Sequence, residues 1–259
     1  MTRWRRASQV AFAILFLALP FAGTTAIAGS LVAPRIGGLD LVEPASAASA
    51  MLAAGAVSAG LLLAALPLVL LATLLGPVYC AWTCPYGLLS ELLDHALRRR
   101  ARWTGVPARV ARVPRWTVLV ALLSASVVLE VPAVALLAPP RLITALPLEA
   151  YATRAVPAVT TSLLALVLLV ELFAPRRIVC RVLCPVGAAA ALLRRRATLA
   201  PRLDATRCRC PGGAPCLDAC PWGVDPRTMR PLDGCTNCLA CVDRCPTRAL
   251  AMTLGVPRS

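Results

Sequence analysis

Cys235, Cys238, Cys241 and Cys245, followed by Pro246, are spaced C-x-x-C-x-x-C-x-x-x-C-P. In runs of this kind three cysteines hold one [4Fe-4S] cluster and the fourth reaches a neighbouring cluster, so a second ligand set is implied. Cys208, Cys210, Cys216 and Cys220 lie upstream, the last followed by Pro221. With crossed ligation, Cys208, Cys210, Cys216 and Cys245 hold the first cluster and Cys220, Cys235, Cys238 and Cys241 the second. The first set is irregular: a single residue separates Cys208 from Cys210, and Pro211-Gly212-Gly213-Ala214-Pro215 separates Cys210 from Cys216. A Gly-rich insertion can bulge outward while the thiolates still converge. Zinc is the plain alternative for eight cysteines, but the C-P endings and the complete run favour clusters.

The other four of the chain's twelve cysteines occur in an internal repeat. Cys80-Ala81-Trp82-Thr83-Cys84-Pro85-Tyr86-Gly87 aligns with Cys180-Arg181-Val182-Leu183-Cys184-Pro185-Val186-Gly187 at an offset of 100 residues. Each copy ends in three arginines, Arg98 to Arg100 and Arg194 to Arg196. If the repeat brings Cys80, Cys84, Cys180 and Cys184 together, four thiolates suit an iron–sulfur cluster, Zn2+ or Cu(I), or form redox-active disulfides.

The elements that must position these residues read as apolar helices. The chain is 59% hydrophobic with mean hydropathy +0.74. Four apolar runs, Val10 to Ile27, Met51 to Leu75, Thr117 to Leu137 and Ala158 to Phe173, predict membrane-spanning helices. The expected fold is therefore an all-α polytopic membrane protein with four transmembrane helices in two parallel repeats over residues 1–200, and a small two-cluster domain over 201–259. Pro85 suits a first helical turn, and Leu88, Leu89, Leu92, Leu93, Ala96 and Leu97 recur at helical spacing. His95, the single histidine, reads as solvated beside Asp94. The tail, from about Asp204 to Leu254, is too small for a core built by packing alone, so clusters are the expected staple.

All 27 basic residues are arginine and the net charge is +15. Arg3, Arg5 and Arg6 precede the first run, seven arginines lie between the second and third, and fourteen follow the fourth. By the positive-inside rule both termini and the clusters face the cytoplasm of a bacterial inner membrane. The basic charge serves topology and lipid contacts, without the aromatic interleaving of a nucleic-acid surface. Ala26-Ile27-Ala28-Gly29 resembles a signal cleavage site, although the first helix is expected to stay uncleaved.

Paired C-x-x-x-C-P motifs ahead of a two-cluster tail resemble the NapH/MauN group of membrane-bound ferredoxin-type proteins, and Cys80 to Leu92 is closer to the methylamine-utilisation branch. The resemblance implies electron transfer between the membrane quinol pool and a redox partner, such as a periplasmic reductase or methylamine dehydrogenase, with some members serving as quinol dehydrogenase subunits. Quinol oxidation also needs a proton acceptor, for which Glu130 is the first candidate and Glu171 the second. The absence of C-x-x-C-H and the single histidine exclude c-type haem attachment and a bis-histidine haem. The alternative function is an assembly factor that reduces or transfers a metal or cofactor for a partner enzyme.

Overall fold

The computed structural model describes residues 2–22, 27–96, 115–173, 177–194, 199–210, 215–228 and 234–254. The Arg98–Arg100 and Arg195–Arg196 positions, the side chain of His95 and the insertion 211–214 lie outside the described residues.

Helix α1 (Thr2–Ala22) leads to a three-stranded antiparallel sheet, β1 (Ile27–Ser30), β2 (Ala33–Ile36) and β3 (Leu39–Asp40). Helices α2 (Pro44–Ala54), α3 (Ala59–Leu75), α4 (Val78–Trp82) and α5 (Pro85–Ala96) follow. Beyond them come α6 (Arg115–Leu129), α7 (Ala133–Leu137), α8 (Pro139–Thr153) and α9 (Ala158–Phe173). A π-turn (Val179–Leu183) joins α9 to α10 (Pro185–Leu193). In the tail, β4 (Leu199–Leu203) pairs antiparallel with β5 (Leu250–Leu254), from Leu199 opposite Leu254 to Leu203 opposite Leu250. The eight tail cysteines all lie between these paired strands, together with the short helices α11 (Pro215–Asp218) and α12 (Ala240–Asp243).

The four-span expectation is overturned. Among the described residues no helix is long and apolar enough to cross a membrane. The run Met51 to Leu75 breaks at Gly55, whose φ of 61° ends α2, and Ser58 then caps α3 by accepting from the Leu61 N–H. The 17 residues of α3 reach only about 25 Å at 1.5 Å per residue, against about 30 Å for a bilayer core. The run Thr117 to Leu137 breaks at Glu130, with φ 52°, and Pro132, which separate α6 from α7. Helix α9 has 16 residues, about 24 Å at the same rise. The start of α1 is held by protein contacts, with Arg5 and Gln9 buried. Nor is the region before the tail all-helical, because the sheet at 27–40 occupies what the hydropathy reads as a loop.

One apolar core joins α2, α6, α7 and α10 through Ala45, Leu119, Val134 and Ala188. Another packs Cys84 and Tyr86 against Ile178, Val179 and the inner face of α9. The β1–β2 turn plugs a third, where Val32 meets Val186 and Cys184. Leu63, Leu66, Leu70 and Leu74 of α3, Val127 and Val128 of α6, and Val159, Leu166 and Phe173 of α9 are exposed. These apolar faces exceed what scattered surface leucines would produce.

The internal repeat is a structural repeat. A helix, a short turn, a cysteine and a proline-initiated helix recur as α3–α4–α5 and α9–π-turn–α10.

Candidate metal centre

Both C-x-x-x-C-P motifs close with the same backbone bond. The Cys84 N–H donates to the Tyr79 carbonyl at 3.1 Å and the Cys184 N–H to the Val179 carbonyl at 2.7 Å. Such i to i−5 bonds widen a helical turn, a feature enriched at functional sites. Proline then starts the next helix where its missing N–H costs nothing. The new helix directs N–H groups back at sulfur: Gly187 donates to Cys184 Sγ at 3.4 Å, while Gly87 and Tyr86 donate to Cys84. The repeated glycine permits this close start, since a Cβ on Gly87 would stand 3.0 Å from the Cys80 carbonyl oxygen and one on Gly187 3.4 Å from that of Cys180.

The structure brings all four repeat cysteines together. Cys80, Cys84, Cys180 and Cys184 line one cavity with about 500 Å³ of empty space, its open mouth included, walled by Tyr79, Tyr86 and Pro139 and closed on the tail side by Trp222, Gly234 and Thr236. Burial pushes the Cys84 thiol up to about 11 and Cys184 to about 12, in spite of their N–H donors. Burial also raises Cys180 well above its ordinary value, and the negative charges of Glu171, Cys184 and Cys84 push the same way.

Cys220, Cys235, Cys238 and Cys241 line a second cavity, with Trp222, Asn237 and Met252. The left-handed backbone of Asn237 and Leu239, with φ of 53° and 63°, turns the chain sharply between the cysteines. The Val224 N–H donates to Cys220 Sγ at 3.3 Å. Burial raises Cys220 and Cys238, and lifts Cys241 to about 12. Trp222 lines both cavities, and Cys180 packs into the same apolar cluster as Trp222, Cys220, Cys235 and Cys238. The two cysteine groups are thus neighbours across one indole.

The remaining tail cysteines are less closely gathered. Cys216 is buried, and both it and Cys208 feel the Arg227 guanidinium; the loop between Cys210 and Cys216 lies outside the described residues. Cys245 lines a separate groove with Trp82, Val242 and Leu250. Its thiol sits below the ordinary value: its slight burial opposes this, but the N–H groups of Leu250, Ala249 and Thr247 and the Thr247 hydroxyl prevail. Among the described residues no three Cys, His, Asp or Glu side chains are placed to hold a single metal ion. A cubane cluster makes a different demand, because its thiolates surround a core of several atoms, one to each iron.

Glu130 is exposed in a left-handed turn where α6 ends. Glu171 is buried, accepting from Ser90 Oγ at 2.6 Å, Tyr86 Oη at 3.3 Å and the Val179 N–H at 3.3 Å, and burial raises its carboxyl above the usual range. Beside it, Arg177 pairs with Asp94 at 3.3 Å and Glu91 at 3.5 Å, and its guanidinium lies 5.5 Å from the centre of the Trp222 ring. Sequence reasoning missed Trp222, Thr236 and Arg177 as parts of the site. The available signal was Trp222, the single tryptophan of the tail, two residues after Cys220.

The residues fit iron–sulfur clusters. Each cavity presents four cysteines in apolar surroundings with backbone N–H groups directed at sulfur. Buried donors without partners among the described residues, Trp222 Nε1 and Thr236 Oγ1, stand in the wall of the repeat cavity. A family described as "4Fe-4S binding domain" matches residues 57–104 and 157–202, each stretch holding one C-x-x-x-C-P motif. The chain is also similar to a ferredoxin of Methanothermococcus thermolithotrophicus, 38% identical over 55 residues that make up 19% of this chain and 92% of that protein. No solved structure matches. These likenesses define an iron–sulfur electron carrier with two [4Fe-4S] clusters. Within that class, the chain belongs to the ferredoxin-type 4Fe-4S proteins.

Proposed function

We propose that this protein relays electrons between a lipophilic quinol and a partner redox protein, using cluster sites in the tail together with a further one formed by the repeat. In this reading Cys220, Cys235, Cys238 and Cys241 hold one tail cluster, and Cys208, Cys210, Cys216 and Cys245 the other. Cys80, Cys84, Cys180 and Cys184 hold a third centre. The observation that carries the proposal is the single wall, Trp222, between the repeat cavity and the tail cavity. A bound [4Fe-4S] cluster takes up and releases single electrons at a potential set by its charge, the hydrogen bonds to its sulfurs and its exposure.

The chain's own residues supply the rest. Tyr79, Tyr86, Pro139 and Trp222 keep the repeat cavity apolar, and the N–H groups of Gly87 and Gly187 offset the negative charge on Cys84 and Cys184. The resemblance to the NapH/MauN group supports a quinol as donor. The exposed apolar faces of α3, α6 and α9 support contact with lipid, where a quinol resides. The test is anaerobic addition of a short-chain quinol to the purified, oxidised protein while its visible iron–sulfur absorbance is followed. Bleaching that returns on adding an oxidant is expected; absorbance indifferent to quinol but bleached by dithionite would remove quinol from the account.

A further inference from the structure

Two side chains that the cysteine motifs do not include complete the wall of the repeat cavity from the tail side. Trp222 and Thr236 are each only 4% exposed, and neither Trp222 Nε1 nor Thr236 Oγ1 has a hydrogen-bond partner among the described residues. Native proteins rarely leave such groups unpaired, and each instance calls for a specific reason. Here both residues line the cavity shared by Cys80, Cys84, Cys180 and Cys184. The acceptors of neighbouring Asn237 are already engaged: its backbone carbonyl accepts from Trp82 Nε1 and its side-chain oxygen from Arg194. Thr236 lines the repeat cavity alone and Trp222 is the wall that this cavity shares with the tail cavity, so the contents of the repeat cavity are the one acceptor within reach of both residues.

We infer that Trp222 Nε1 and Thr236 Oγ1 donate hydrogen bonds to the sulfur atoms of a [4Fe-4S] cluster held by the repeat cysteines, so that the tail sets the potential of the repeat's centre. The inference rests on the proposed ligation by Cys80, Cys84, Cys180 and Cys184. An indole N–H and a hydroxyl suit thiolate or sulfide acceptors, and both bonds strengthen as negative charge accumulates on sulfur. They favour the reduced state and raise the potential. Arg177, stacked 5.5 Å from the Trp222 ring centre and held by Asp94 and Glu91, fixes the indole in place. Trp222 and Thr236 are thus positioning and tuning residues; the cysteines alone bind iron.

The experiment is a redox titration of the full-length protein, followed by low-temperature EPR, for wild type, Trp222→Phe, Thr236→Val and Thr236→Ser, with iron counted in each and in Cys184→Ser. The repeat centre is the signal that Cys184→Ser removes. At a fixed poise, Trp222→Phe and Thr236→Val each lower its reduced-to-oxidised ratio about tenfold, a fall of about 59 mV for a one-electron couple. Thr236→Ser, which keeps the hydroxyl, retains the wild-type potential, and Thr236→Val, at a residue that lines only the repeat cavity, leaves the tail signals unmoved. If Cys184→Ser removes iron and a signal, while wild type, Trp222→Phe and Thr236→Val share one potential for that signal, the hydrogen bonds are refuted and the ligation stands. If Cys184→Ser removes neither iron nor any signal, the ligation itself fails, and the inference with it.

Discussion

Glu91 anchors the charged layer beneath the site. It pairs with Arg5 at 2.5 Å, with Arg6 at 2.5 Å and with Arg177 at 3.5 Å. Burial alone would raise its carboxyl, but the hydrogen bonds and charges of Arg5, Arg6 and Arg177 prevail and hold it down at about 2. A carboxyl with a lower pKa in the folded than in the unfolded chain stabilises the fold above its ordinary value and loses that contribution as it protonates. Stability is therefore expected to fall as the pH drops from 4.5 towards about 2, measured by denaturant unfolding across that range. Glu91→Gln should cost about 3 kcal/mol at neutral pH and flatten the acid limb, because it leaves Arg5 buried without its counter-charge. Glu130 departs from expectation at this scale: hydropathy places it inside a span, whereas it is an exposed residue in a left-handed turn.

At the scale of elements, the cysteine-bearing turns were legible and the helix ends were not. Cys80, Cys84, Pro85 and Gly87 recur at an offset of 100 residues as Cys180, Cys184, Pro185 and Gly187, and the structure gives both copies the same i to i−5 bond and the same sulfur-directed N–H groups. Spacing encodes such local geometry directly. A hydropathy run, in contrast, is blind to a backbone reversal within it, so Met51 to Leu75 reads as one helix although Gly55 adopts φ 61° and divides it. Gly55→Ala tests that reversal. A Cβ there meets nothing within 4 Å, so the effect is purely conformational and should be a destabilisation of about 1 kcal/mol in denaturant unfolding.

At the scale of the whole molecule, long-range contacts join the tail to the repeat. Asn237, only 3% exposed, donates to the Leu75 carbonyl at 2.7 Å and the Leu199 carbonyl at 3.0 Å, and its side-chain oxygen accepts from Arg194 at 2.9 Å. Its partners are as far as 162 residues away, which is why no spacing in the chain announced them. Asn237→Ala should cost about 2–3 kcal/mol, from several buried groups left unpaired, and should hasten proteolytic release of the tail in limited digestion. The central claim is that the repeat cysteines form a cluster site beside the tail. Iron and acid-labile sulfide counts on anaerobically purified protein test it most directly, compared with Cys80→Ser/Cys184→Ser. Four irons per cluster give about twelve per chain, falling to about eight in the double variant; about eight in both proteins would contradict the claim.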